Sequence, residues 1–406
     1  MERDTFSLLE TIVKGYEKDQ KHSNFKKELL DLSIGNPDLT PDIKWIKRLQ
    51  YFINQNDLHG YADFRPDINE HLCSRFTAYY HRRFLPNNTF ELLDPKRNVV
   101  DLLGSKEGIF YSLLACLKSG ESVLMPDPSY TVYQSCAQLI GAKVEHFSCD
   151  ELGQPDLNTI KPEQVKNARM MVVCSPNNPT GIALSPKVLK DILDFAEIHD
   201  LWVIVDRAYA EITPENSDTL FNGAALPLPG ALSRVLELHS LSKSCSLAGW
   251  RIGFAVGAEE LVQKIRKIKF NTDFGTFLPI QCVAAEMLDE LESISEQNSI
   301  IYSSRMNKFI EGVRSLGWSI PKSQGTFFLW ASLPDTFLGG DDLAFVENLL
   351  DSTGILVAPG SGFGPNGFGK VRIALVQPDE VIDEVLDRLS KWEDLALDSE
   401  CELTGR

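Results

Sequence analysis

The chain has 406 residues, 43% of them hydrophobic, enough for two domains around sizeable cores. Its formal net charge of −17 excludes the basic face that general nucleic-acid binding needs. No apolar run reaches the roughly 18 residues that span a bilayer, and "MERDTFSLLETIVKGYEKDQKHSNFKK" carries no secretory apolar core, so a cytoplasmic protein with no membrane partner is expected. The eight cysteines form no C-x-x-C pair and have no histidine pair nearby, which predicts reduced thiols and no metal site.

Taken in order, residues 1–30 read as a charged amphipathic helix, and "LLDLSIGNPDLTPD" (29–42) as a short strand running into a turn. Residues 41–100 look mostly helical. From residue 98 the pattern changes. "NVVDLLG" predicts a strand, "SKEGIFYSLLACLKSG" a helix, "SVLMPDPSY" a strand, "TVYQSCAQLIGA" a helix and "KVEHFSC" a strand. "ARMMVVCSPNNPTG" is an apolar strand ending in a turn. "SPKVLKDILDFAEIHD" is a helix with Ser185 as cap and Pro186 at its first position. "LWVIVDRAYAEI", "SRVLELHSLSK" and "WRIGFAVG" complete seven strands. Such alternation predicts an α/β fold, a mainly parallel seven-stranded sheet between helices. One long helix is expected over 278–316. The less regular segments that follow suggest a smaller α+β domain, and the five acids and one base after residue 392 suggest a mobile tail.

Functional groups in parallel sheets collect beyond the carboxyl ends of strands, and Asn178, Asp206 and Lys243 all fall at such ends. A lone lysine after a strand is ordinarily a solvated surface residue. Lys243 differs because Ser240, Ser242 and Arg251 surround it with groups suited to an anion such as phosphate. An amine of lowered pKa condenses with aldehydes. Amine plus phosphate site suggests pyridoxal 5′-phosphate (PLP). That cofactor needs an acid beside its ring nitrogen, for which Asp206 is placed, and donors to its ring oxygen, for which Asn178 and Tyr209 are placed. "GSKEGIF" (104–110) opens a helix after a strand, where Ser105, Lys106 and Glu107 could present N–H groups to a phosphate. Singly, each feature is also a plain turn, cap or strand-end carboxylate. The glycine-rich "GSGFGPNGFG" (360–369) does not open the helix of a βαβ unit. It is read as a loop that positions Arg372 rather than as a dinucleotide site.

Together, "SLSKSCSLAGWRIGFAVG", "NNPTG", D-x-x-Y (206–209) and "PGSGFG…VRIAL" (359–375) resemble, in order, the fold-type I PLP-dependent aminotransferases of class I/II. That group includes aspartate, aromatic and LL-diaminopimelate aminotransferases, and the likeness runs from about residue 30 to 390. It implies that Lys243 holds PLP as an internal aldimine and then moves the substrate Cα proton. It implies that Asp206 pairs with the pyridinium nitrogen, and that Asn178 and Tyr209 contact the ring oxygen. Ser105, Lys106, Glu107, Ser240, Ser242 and Arg251 belong to its cofactor site, with Tyr130 stacked on the ring. Arg372 matches the arginine that grips the substrate α-carboxylate, and Gly35 the glycine of a segment closing over substrate. Tyr61 matches a tyrosine given to the neighbouring subunit's phosphate, and Thr276 or Phe277 could also reach across. A homodimer with shared sites is therefore implied. The division implied is 1–45 joining the small domain, 46–290 as the large PLP-binding domain, 291–392 as the C-terminal small domain and 393–406 as the tail.

The pattern departs from the family at "YADFRPDINEHL" (61–72), where Pro66 stands for a glycine and Glu70–His71 for Leu-Arg. It departs again at Arg207, where an acid is common. The expected function is transfer of an amino group between an L-amino acid and a 2-oxo acid. The alternative is a PLP-dependent lyase or cyclase acting by elimination, replacement or cyclodehydration. A PLP-domain regulator is disfavoured because no basic segment precedes residue 30.

Overall fold

Seven short apolar segments associate into one sheet. Its order is Val99–Leu102, Gly253–Gly257, Val235–Ser240, Trp202–Asp206, Ala168–Cys174, Ser122–Asp127 and Lys143–Ser148. The computed structural model describes residues 5–20, 28–85, 93–213, 223–318, 320–334, 337 and 340–404. Four of the six strand pairings are parallel. Gly253–Gly257 runs antiparallel to both its neighbours, so the sheet is mixed but mainly parallel.

The inner strands are apolar almost throughout because helices cover both faces. Phe76 and Tyr80 of helix Pro66–Phe84 pack on one face together with Ile192 of helix Pro186–Ile198. Ile109 and Leu113 of helix Ser105–Cys116 pack on the other with Ile265 of helix Glu259–Thr272. Ser185 caps its helix as expected, accepting from the Val188 N–H at 3.2 Å, and Pro186 follows.

Strand periodicity explains Arg207. Val203 and Val205 face helix Pro66–Phe84 while Ile204 faces the opposite side, so Asp206 and Arg207 also part. Arg207 is 1% exposed. It lies 3.5 Å from Glu237 and stacks over Phe84 at 4.7 Å. Glu237 also accepts from Tyr80 and from the Ala225 and Leu226 N–H groups, and approaches His239 at 3.2 Å. Burial pushes its carboxyl up, but Arg207 and His239 outweigh that and hold it at about 2. The unusual arginine therefore has a dedicated counter-ion on the next strand. Glu237→Leu should cost about 3–5 kcal/mol in chemical denaturation, because it strands a buried guanidinium. Adding Arg207→Met should restore most of the loss.

A second core joins the two ends of the chain. Leu9, Ile12 and Tyr16 of helix Thr5–Gln20 meet Phe345 and Leu349 of helix Asp342–Thr353 and Ile382 of helix Asp379–Thr404. Leu30–Asp31 pairs in parallel with Ile355–Leu356. Ala358–Pro359, Lys370–Ala374 and Phe328–Ser332 form a three-stranded antiparallel sheet. The chain leaving Asp31 is thus delivered to the carboxyl edge of the large sheet.

One expectation changes. The helix expected over 278–316 is two, Leu278–Met287 and Leu291–Arg314. The Asp289 and Glu290 N–H groups bond to the carbonyls of Glu286 and Met287, a tight turn that redirects the chain. The helix begun at Asp379 runs on through the acidic stretch after residue 392 to Thr404. Among the described residues no helix is long and apolar enough to cross a membrane.

Candidate active site

A cavity of about 450 Å³ opens beyond the carboxyl ends of the parallel strands. It gathers Lys243, Asp206, Asn178, Tyr209, Tyr130 and Arg372, residues spread across more than half the chain. Gly35, Ser105, Lys106, Ser240, Ser242 and Arg251 complete most of its wall.

Lys243 sits in a single helical turn, Leu241–Ser244, entered directly from strand Val235–Ser240. Ser240 caps that turn, its hydroxyl accepting from the Ser242 N–H at 3.2 Å. The Lys243 ammonium donates to the Gly35 carbonyl at 2.6 Å. Burial, then the charges of Arg372, Arg251 and Lys106, lower its pKa to about 8, against an opposing pull from Asp206. At that value roughly a tenth of the amine is neutral at pH 7, far more than for a solvated lysine.

Asp206 ends its strand 3% exposed. Its Oδ1 accepts from the Ala208 N–H at 3.1 Å and its Oδ2 from the Tyr133 hydroxyl at 2.9 Å. Burial lifts its pKa to about 6, while Tyr133, Ala208 and Lys243 pull it back.

One end of the cavity is built for an anion. Gly104 has φ +80° and precedes helix Ser105–Cys116. A Cβ on it would lie 2.4 Å from Arg251 Nη2, so only glycine lets the arginine this close. Arg251 donates to the carbonyls of Leu103 at 2.7 Å and Ala248 at 2.8 Å, and to the Ser242 hydroxyl at 3.4 Å. A helix start turns its first N–H groups outward, here those of Ser105 and Lys106. Glu107 does not join them. Its carboxylate points away from the cavity, accepting from the Leu103 N–H and from Lys269 at 2.9 Å, and its own N–H bonds to the Gly104 carbonyl.

The cavity also carries a buried cation, Arg372. Arg372 lies on strand Lys370–Ala374, its guanidinium between the rings of Phe328 at 4.2 Å and Phe363 at 4.7 Å. Phe363 belongs to the glycine-rich loop, which is tied down where the Ser129 N–H meets the Phe363 carbonyl and the Asn366 N–H meets Asp127. Arg372 donates to Asn178 Oδ1 at 2.8 Å and to the Ser33 carbonyl at 2.5 Å, while its Nε is buried without an acceptor among the described residues. Burial lowers its pKa to about 10, so it stays cationic at neutral pH. Gly35 lies against Phe328, where a Cβ would fall 2.4 Å from the ring.

Tyr61 does not line this cavity. It is 65% exposed, its ring 5.0 Å from that of Phe274 in an exposed aromatic group that includes Phe64 and Phe270. Thr276 is buried and donates to Asp101, so of the two residues suggested to reach across only Phe277 is at the surface. Pro66 occupies the first turn of helix Pro66–Phe84, a position where proline is favoured, and Glu70 pairs with Lys96 at 3.0 Å. Neither Glu70 nor His71 lines the cavity. The motifs in the sequence do not mark Tyr133, Phe328 or the Ser33 carbonyl. The only local signal for Tyr133 is its place three residues after Tyr130.

A family model described as aminotransferase class I and II matches residues 27–389. The LL-diaminopimelate aminotransferase of Halothermothrix orenii is 33% identical over 383 residues, covering 92% of this chain and 94% of that protein. Among solved structures, a probable N-succinyldiaminopimelate aminotransferase from Thermus thermophilus is similar with a TM-score of 0.85 at 30% identity, over 94% of this chain and 99% of its own. Substrate-bound BacF from Bacillus subtilis matches with a TM-score of 0.85 at 29% identity, over 96% of this chain and 94% of its own.

Proposed function

Because this chain belongs to the class I and II aminotransferases, we propose that its cavity binds PLP and that Lys243 is the covalent anchor. The residues present fit that cofactor. An anion cradle of glycine, arginine and helix start occupies one end. Asp206 holds a carboxylate deep in the wall, and an amine of lowered pKa lines the same cavity. When bound, PLP supplies an electron sink for the pair left on the substrate Cα.

Ser105, Lys106, Ser240, Ser242 and Arg251 take the phosphate. Asp206 carries the charge that keeps the ring nitrogen protonated. Asn178 and Tyr209 offer donors to the ring oxygen, and Tyr130 packs against the ring face. Arg372 takes the substrate α-carboxylate, using the guanidinium already held by Asn178 and Ser33. Lys243, neutral in its lowered-pKa state, would be the base that takes and carries the substrate Cα proton. The active unit is a homodimer in which Tyr61 serves the neighbouring site. Its exposed ring, grouped with Phe64 and Phe274, supports this reading.

The names of the relatives support transamination and do not favour the lyase or cyclase alternative. They also make LL-diaminopimelate the first substrate to test. The observation that carries the proposal is the convergence of Lys243, Asp206 and Arg372 on one cavity. Holoprotein given LL-diaminopimelate without any oxo acid should transfer one amino group per site to bound cofactor and stop. It should resume when a 2-oxo acid is added. Continuous release of ammonia without an oxo acid would contradict transamination.

A further inference from the structure

We propose that Tyr133 is a positioning residue for this reaction: its hydroxyl fixes the Asp206 carboxylate in place and keeps the proton on the cofactor's ring nitrogen rather than on Asp206. The inference rests on the PLP reading above and adds to it a residue that does not stack on, hold or react with the cofactor.

Both carboxylate oxygens of Asp206 are engaged. One oxygen accepts from the Ala208 main chain at 3.1 Å, the other from Tyr133 at 2.9 Å. Rotating the carboxylate would break both bonds. The Ala208 N–H is main chain and available whatever the sequence. Tyr133 is the only side chain whose hydrogen bond to Asp206 is found among the described residues.

Tyr133 is itself rigidly held. It is fully buried at the start of helix Val132–Leu139, and its N–H bonds to the Tyr130 carbonyl at 3.1 Å. Its ring stands edge-on to that of Tyr130 at 5.6 Å and 89°. The turn that brings Tyr130 to the cavity thus sets Tyr133 beneath it. A phenylalanine would fill the same space, so packing alone does not require the hydroxyl.

The other groups near Asp206 cannot substitute for it. Cys174 on the neighbouring strand, Tyr130, and Tyr209 after the strand are all neutral, their acidities suppressed first by burial. Lys243 favours the carboxylate when protonated, but it must lose that charge to act as nucleophile or base. At that moment the two hydrogen bonds are the protein's remaining hold on the buried anion, beside the ring nitrogen's own proton. A hydrogen bond to an ionised group makes the carboxylate a weaker base. A weaker base leaves the shared proton on the ring nitrogen, where it sustains the electron sink.

The test uses wild type and Tyr133→Phe, each reconstituted with PLP carrying ¹⁵N in the ring and examined by NMR at neutral pH. Wild type should give a pyridinium-like resonance. The variant should shift toward neutral pyridine, with the proton partition moved toward Asp206 by about ten-fold or more. Installing a fluorinated tyrosine at 133 keeps the ring and strengthens the donor, so it should leave the resonance at or beyond the wild-type pyridinium position. A packing role would move neither resonance. Wild type and Tyr133→Phe resonating alike while both retain PLP would overturn the Tyr133 inference and leave the cofactor reading intact. Failure of wild type to retain PLP would end both.

Discussion

Lys243→Ala should lose catalysis by about 10⁴-fold or more, because the proposed function makes one amine both covalent tether and proton carrier. The variant still folds and still takes up PLP, since Arg251, Ser240, Ser242 and the helix start at Ser105 are untouched. It holds PLP without a covalent link, so the visible band of a lysine-bound cofactor disappears. Added small primary amines restore part of the rate by entering the space the side chain leaves. The chemistry also fixes a pH dependence for wild type. Only the neutral amine attacks an aldehyde, and burial with nearby cations lowers the Lys243 pKa to about 8. Covalent capture of PLP by the apoprotein should therefore speed up as pH rises through about 8 and level off above it. Stopped-flow absorbance reads this directly. An unchanged band in Lys243→Ala would place the attachment on another residue.

The second large effect is at Arg372. Its guanidinium is 4% exposed, clamped between two phenylalanine rings and already oriented by Asn178 and Ser33. Pairing it with a carboxylate in this dry setting makes the interaction strong and its loss severe. Arg372→Ala should lower kcat/KM for amino acids by about 10²- to 10³-fold, the range for removing one partner of a buried charge pair. PLP should still bind, because the phosphate cradle is untouched, while loss of the Arg372 charge should let the Lys243 pKa rise above about 8. Arg372→Lys should recover only part of the loss, since an ammonium offers a point charge in place of a planar fork. Amines without a carboxylate provide the control. Their rates should hardly change, so the preference for amino acids over amines collapses in the alanine variant.

Much of this site is legible in the sequence because parallel sheets concentrate chemistry at the carboxyl ends of their strands. "WVIVD" and "VLELHS" are apolar runs whose final residues must emerge at that edge, and this alone locates Asp206 and Ser240. Local spacing then brings Tyr209 and Lys243 with them. Contacts made across the fold are what the sequence hides. Tyr133 reads as a core aromatic on a short helix, and nothing local says that its hydroxyl meets a carboxylate 73 residues away. Glu107 sits at a helix start, but only the fold shows its side chain turned to Lys269 rather than toward the cradle. The partner of Arg207 lies on an adjacent strand, 30 residues on, where pairing depends on strand order. The break between Met287 and Leu291 carries no glycine or proline, so periodicity runs straight through it. Main-chain partners such as the Ser33 and Gly35 carbonyls leave no sequence signature at all.

The central claim is a covalent bond between PLP and one particular nitrogen. Holoprotein treated with borohydride, digested and mapped by mass spectrometry should carry the reduced cofactor on the peptide containing Lys243, at one per chain, with the label prevented by prior incubation with amino donor. Label on any other lysine, or none after saturation with PLP, would contradict the account.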